Sequence, residues 1–181
     1  VRLPAPGNIF LTGADVRIPV PAAVAGADDA VLLDDAGREV AMGTVTDGVL
    51  TPEPAPGVGW YQVVFRDADA NPLGWTTAAV LAPLPSPPPQ DSPVALDVAL
   101  SWVAPDAQEA WRAMTQIAAL AGVRWVRDRL RWRELENGGV PYPETTRYDE
   151  TATLQSKAGL KLLQVFHDMP PQVRDADGVP D

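Results

Sequence analysis

The sequence predicts a multi-domain chain, an all-β immunoglobulin-like sandwich followed by a parallel α/β unit, and three observations predict it. Short apolar stretches alternate with turn signals as far as Leu81. A proline-rich run then breaks the pattern. Beyond it the apolar residues follow a strand, helix, strand, helix, strand order, which calls for right-handed crossovers and a parallel sheet. The expected boundaries are residues 1–83 for the sandwich, 84–93 for the linker and 94–181 for the α/β unit.

The strand candidates of the first part are Ile9 to Leu11, Val16 to Val20, Val31 to Leu33, Val40 to Val45, Tyr61 to Phe65 and Gly74 to Leu81. Asp34-Asp35-Ala36-Gly37 reads as a reverse turn, with glycine at the place that accepts positive φ, and Asp69-Ala70-Asn71-Pro72 reads as a second one. In Trp60 to Arg66 the alternation puts Tyr61, Val63 and Phe65 on one face and Gln62 and Arg66 on the other, the pattern of a half-buried strand. Several short strands in a row with no helical period among them fit a small sandwich.

Prolines between Pro83 and Pro93 fix φ and favour an extended chain, so this stretch is expected to be a stiff spacer. Val94 to Trp102 is an apolar run broken only by Asp97 and Ser101, suited to a strand covered on both faces. Asp106 to Glu109 offers a capping box, and Ala110, Trp111, Met114, Ile117, Ala118 and Ala121 recur at helical spacing up to Gly122. Val123 to Leu130 is strand-like again. A loop with Asn137-Gly138-Gly139 and Pro141-Tyr142-Pro143 follows, then Asp149 is expected to cap a helix reaching Ala158. Leu160 to Phe166 makes the third strand. Three strands and two helices leave a sheet edge and much of both faces uncovered, so the remainder of the sheet is expected in cis or on another chain.

Composition bounds the chemistry. With 24 acidic against 14 basic residues the formal charge is −10, which repels phosphate backbones and anionic lipid, so neither nucleic acid nor membrane is an expected partner. No apolar run approaches the roughly 20 residues that span a bilayer. There is no cysteine and a single histidine, so no metal site and no cofactor is expected. No glycine-rich phosphate loop occurs, which disfavours a nucleotide-using α/β enzyme. The opening Val1-Arg2-Leu3 suggests a processed or trimmed N-terminus.

One segment is more specific. Gly122-Val123-Arg124-Trp125-Val126-Arg127 leads to Trp132 and Glu134, Tyr148-Asp149 opens the next helix, and Ala158-Gly159-Leu160 precedes the third strand. This order resembles the glycoside hydrolases of clan A, especially those near family 39, over residues 94 to 173. The resemblance implies that the second part is the first β/α units of a (β/α)₈ TIM barrel, truncated, and that the complete protein cleaves glycosidic bonds of a carbohydrate substrate with retention. It also implies a secreted or periplasmic bacterial protein. In that clan the two catalytic glutamates stand on the fourth and seventh strands, so no catalytic residue is expected in this chain, and Glu134 and Glu136 read as loop or helix-start carboxylates.

Barrel sites form at the carboxyl ends of the strands. By the resemblance Arg127 points inward and holds a catalytic carboxylate ionised; an arginine paired with a nearby acid is the purely structural alternative. His167 ends the third strand and would bind a sugar hydroxyl, with Asp168 beside it. Trp132, and Trp102 with it, would stack on pyranose faces or else fill the core. Relatives often continue Pro-Pro-Trp after this strand, whereas this chain has Pro170-Pro171-Gln172. A different reading makes the chain a non-catalytic carbohydrate-binding or cell-surface module, with Trp60, Tyr61 and Trp75 as its platform.

Overall fold

The computed structural model describes residues 5–103, 108–135 and 145–171. The chain divides into two compact units, Pro4–Pro83 and Leu84–Asp181.

The first unit holds β1 (Ile9–Leu11), β2 (Ile18–Pro19), β3 (Asp29–Leu33), β4 (Glu39–Thr46), β5 (Val49–Leu50), β6 (Gly59–Arg66) and β7 (Pro72–Leu81). They form a seven-stranded mixed sheet in the order β1-β7-β6-β3-β4-β5-β2, with β1 parallel to β7. The sheet curls on itself because β4 serves two partners: its first part pairs with β3, and Val45 and Thr46 pair with Leu50 and Val49. Ile18 and Leu50 therefore meet Leu32, Val63 and Phe65 in one core. The expected alternation of Tyr61, Val63 and Phe65 toward that core is present. The two-residue strand β5 is too short to leave a period in the sequence.

Aspartates organise both main hairpins. Asp34 Oδ1 accepts the N–H groups of Ala36 and Arg38, each at 2.9 Å, while Gly37 takes φ 75°. Asp67 Oδ1 accepts from Asp69 at 3.0 Å and from Asn71 at 2.8 Å, with Ala70 at φ 63°. The second turn thus starts two residues earlier than the Asp69 expected from sequence. Asp67 is the residue placed to bond the backbone two and four residues on.

The second unit contains β8 (Ala95–Asp97), α1 (Leu100–Val103), α2 (Gln108–Leu120), β9 (Trp125–Arg131), α3 (Trp132–Leu135), α4 (Arg147–Lys157) and β10 (Lys161–His167). Its three strands are parallel, in the order β10-β9-β8, with Asp97, Arg127 and Leu163 in one row and Arg131 beside His167 in another. Val126 and Leu130 are buried on one face, where Val126 packs with Ala118 and Leu160. Arg127, Arg129 and Arg131 alternate onto the other. Gly122 and Gly159 end α2 and α4 at φ 75° and 83°, a conformation that costs glycine little.

Three expectations need correction. The run Val94 to Trp102 is not one strand buried on both faces: β8 has three exposed residues, and Leu100–Val103 turns into α1. The Leu100 N–H is drawn instead to the buried Asp128 carboxylate, 3.2 Å away. Helix α4 is capped by Thr146 rather than Asp149; the Asp149 carboxylate reaches back to the Thr146 N–H at 2.7 Å, as a capping-box partner does. Tyr61 is buried, its hydroxyl donating to Gly57 O at 2.7 Å, so it forms no part of an exposed platform. Asp106, the loop from Glu136 to Pro143 and Gln172 lie outside the described residues.

Candidate functional site

At the carboxyl ends of β9 and β10, Trp102, Arg131, His167 and Asp168 come together. Parallel in-register pairing sets His167 beside Arg131 on the face that the helices leave uncovered. The turn α1, which follows β8, brings the Trp102 indole over both: the His167 ring lies 4.4 Å away, tilted by 48°, and the Arg131 guanidinium sits 4.4 Å above the indole. Asp168, at φ 57°, turns the chain and accepts from Arg133 Nε at 2.8 Å. Arg131 Nε lies 3.8 Å from the same carboxylate, too far for a hydrogen bond, and is buried without one.

On the far side of Arg131, α3 and α4 meet in a charged network that sequence reasoning missed. Tyr148 OH donates to Glu134 Oε2 at 2.6 Å, Arg147 bonds the same oxygen, and Arg131 Nη1 reaches Glu134 Oε1 at 3.3 Å. Desolvation pulls the Glu134 carboxyl toward protonation, but the Tyr148 hydroxyl and the two guanidinium groups outweigh it, so its pKa falls below the usual value. Burial, then the bond to Glu134, raises the Tyr148 phenol. A carboxylate held ionised by three donors is a brace for Arg131 and a poor proton donor. The clue in sequence was the Tyr148-Asp149 pair at a helix start, but nothing in spacing could join it to Glu134 across the intervening loop.

The site is anchored by a buried carboxylate. Asp128 Oδ1 accepts from the Leu100 and Arg129 N–H groups at 3.2 and 2.8 Å, and Oδ2 accepts from Gln155 Nε2 at 2.7 Å. It ties α1, β9 and α4 together and so fixes where Trp102 stands.

The residues singled out from sequence divide. His167 and Asp168 belong to one cluster, together with Arg131, which the sequence had not singled out. Arg127 is on the same face as His167 but lies four residues back along β9, where it shares Asp97 Oδ2 with Arg129, at 3.2 and 2.9 Å. Trp132 opens α3 half-buried, and the indole that meets His167 is that of Trp102. A shallow hollow lined by Pro93, Trp125, Arg127 and Leu163 lies at the amino ends of the strands, opposite the end where parallel α/β sheets bind ligands.

Among the described residues, buried His167 Nε2 and Trp102 Nε1 have no hydrogen-bond partner, which costs free energy. Both carboxylates at this end, Glu134 and Asp168, are salt-bridged to arginine. Among the described residues no group of three or more histidine, cysteine or acidic side chains could hold a metal ion. No helix among them is long and apolar enough to cross a membrane.

No family model matches the chain, and no curated protein matches it. Among solved structures the chain is similar to a family 39 glycoside hydrolase from the gut symbiont Bacteroides cellulosilyticus WH2, with a TM-score of 0.64 and 17% identity. The match covers 97% of this chain and 36% of that one, so the chain spans about a third of that structure. At this identity the likeness is one of fold.

Proposed function

We propose, from the fold it shares with part of a family 39 glycoside hydrolase, that this chain is the N-terminal portion of a retaining glycosidase. In this reading Pro4–Pro83 is an immunoglobulin-like accessory sandwich, and the second unit supplies the first three strands of a (β/α)₈ barrel. Strands outside this chain complete the barrel and carry its two catalytic glutamates. The observation that carries the proposal is the Trp102, Arg131 and His167 cluster at the carboxyl ends of three parallel strands, where barrel enzymes bind substrate.

The division of labour follows from the chemistry. A glycosidase that retains configuration needs two carboxyl groups about 5 Å apart, one attacking the anomeric carbon and one giving a proton to the leaving oxygen. Glu134 is saturated by donors and suits neither task. His167 Nε2 and the Trp102 N–H would bond sugar hydroxyls, the indole would cover a ring face, and Arg127, freed from Asp97, would hold a carboxylate from a neighbouring strand ionised. A secreted or periplasmic location belongs to the same proposal.

The test is to incubate the complete protein with a panel of aryl glycosides and neutral oligosaccharides and to follow the anomers by NMR. Hydrolysis with the β or α configuration kept in the first product is expected. Inversion, or no cleavage of any substrate, contradicts the proposal. The 181-residue chain by itself is expected to be inactive.

A further inference from the structure

The outer face of the first unit carries two exposed tryptophans: Trp60 is 51% and Trp75 64% accessible. Both lie on the face opposite the core, because Tyr61, Val63 and Phe65 point inward and Trp75 stands directly across from Val64. Four residues separate Trp60 from Val64 along β6, so one strand over, Trp75 is about 14 Å from Trp60. Midway between them Gln62 and Thr77 stand opposite each other. Among the described residues neither the Gln62 amide nor the Thr77 hydroxyl hydrogen-bonds within the chain. Aromatic, polar and aromatic groups thus follow one another in a line.

We propose that this face is a binding strip for an extended, neutral polysaccharide chain. Its sequence of groups matches such a ligand: pyranose rings offer apolar C–H faces to the two indoles, and the hydroxyls between them meet the amide and the hydroxyl. The length of the strip suits several consecutive rings rather than one compact molecule. Its surroundings decide the charge of the ligand. From Pro4 to Pro83 the chain has ten acidic residues against Arg17, Arg38 and Arg66, so an anionic polymer is repelled. Between the indoles the strip itself has no charge to attract a cation. A protein partner would need about 800 Å² of continuous, well-desolvated surface on this side, whereas here the centre is polar. The strip is separate from the Trp102 and His167 cluster and requires no catalysis, so it stands whether or not the complete protein is a glycosidase.

Affinity electrophoresis tests it with the full 181-residue chain in gels containing hydroxyethylcellulose, xyloglucan, arabinoxylan or galactomannan, with polygalacturonate as the anionic control. At least one neutral polymer is expected to retard the chain and polygalacturonate is not. Trp60→Ala and Trp75→Ala each weaken the retardation about tenfold, the double variant abolishes it, and Gln62→Ala weakens it about threefold. Both indoles are exposed, so the fold is kept, and the urea midpoint and the backbone signal in far-ultraviolet circular dichroism stay close to the wild type. No retardation by any neutral polymer, retardation only by polygalacturonate, or a double variant retarded as strongly as wild type overturns the proposal. So does a concentration-dependent dimer that the double variant abolishes.

Discussion

In the first unit the buried side chains of the described residues are apolar, from Phe10 to Val80, whereas the second unit also buries Ser101, Thr115, Asp128, Thr151 and Gln155. Among the described residues, the buried side-chain polar atoms without a hydrogen-bond partner, Trp102 Nε1, Arg131 Nε and His167 Nε2 included, all belong to the second unit. A curled sheet closes the first core on itself, with Phe65, Val63, Leu32 and Ile18 fully buried. The three parallel strands of the second unit have helices on one face and expose Arg127 and Leu163 on the other, while Phe166, in the row of Leu130 on the edge strand β10, is 64% exposed. The described core of the first unit is apolar, and that of the second is mixed with polar side chains.

The largest effect should come from the apolar core. Phe65→Ala removes a fully buried ring and should cost the first unit about 3–5 kcal/mol, read as a lower urea midpoint of that unit with the second unit's transition unmoved. Asp128→Ala should cost the second unit about 2–4 kcal/mol, because the Leu100 N–H and the Gln155 amide lose their acceptor in a buried place. Near-ultraviolet circular dichroism should register the release of Trp102 in that variant and no change in the first unit.

Acid should separate the units further. Glu134 has a pKa below its usual 4.5 in the folded chain, so its contribution is fully present above pH 4.5 and is lost as the pH falls through the lower folded value. Urea midpoints of the second unit should drop over that window, and Glu134→Gln should flatten the drop. The smallest change is Thr146→Ala at the start of α4, about 1 kcal/mol by denaturation of the second unit.

These contrasts explain what could be read from sequence. The inward alternation of Tyr61, Val63 and Phe65 and the order of the parallel strands were legible, since each depends on a local period of apolar residues. His167 was legible as a strand-end residue. The partners of the site were not, because they depend on contacts distant in sequence: Trp102 was placed at the end of a strand that the Leu100 to Asp128 hydrogen bond instead turns into a helix. Glu134 was legible as a helix-start carboxylate, in the first turn of α3, but its bonds to Tyr148 and Arg147 on another helix were not. Tyr61 failed as a platform residue because its hydroxyl could turn inward to Gly57, a choice that alternation alone already favoured.

The most direct test is kcat/KM of the complete protein toward an aryl glycoside with His167 replaced by alanine. The account predicts a fall of about 100-fold or more, with the fold intact by circular dichroism, because His167 Nε2 loses its bond to the sugar. A variant that hydrolyses the same substrate within about twofold of the wild type would contradict it.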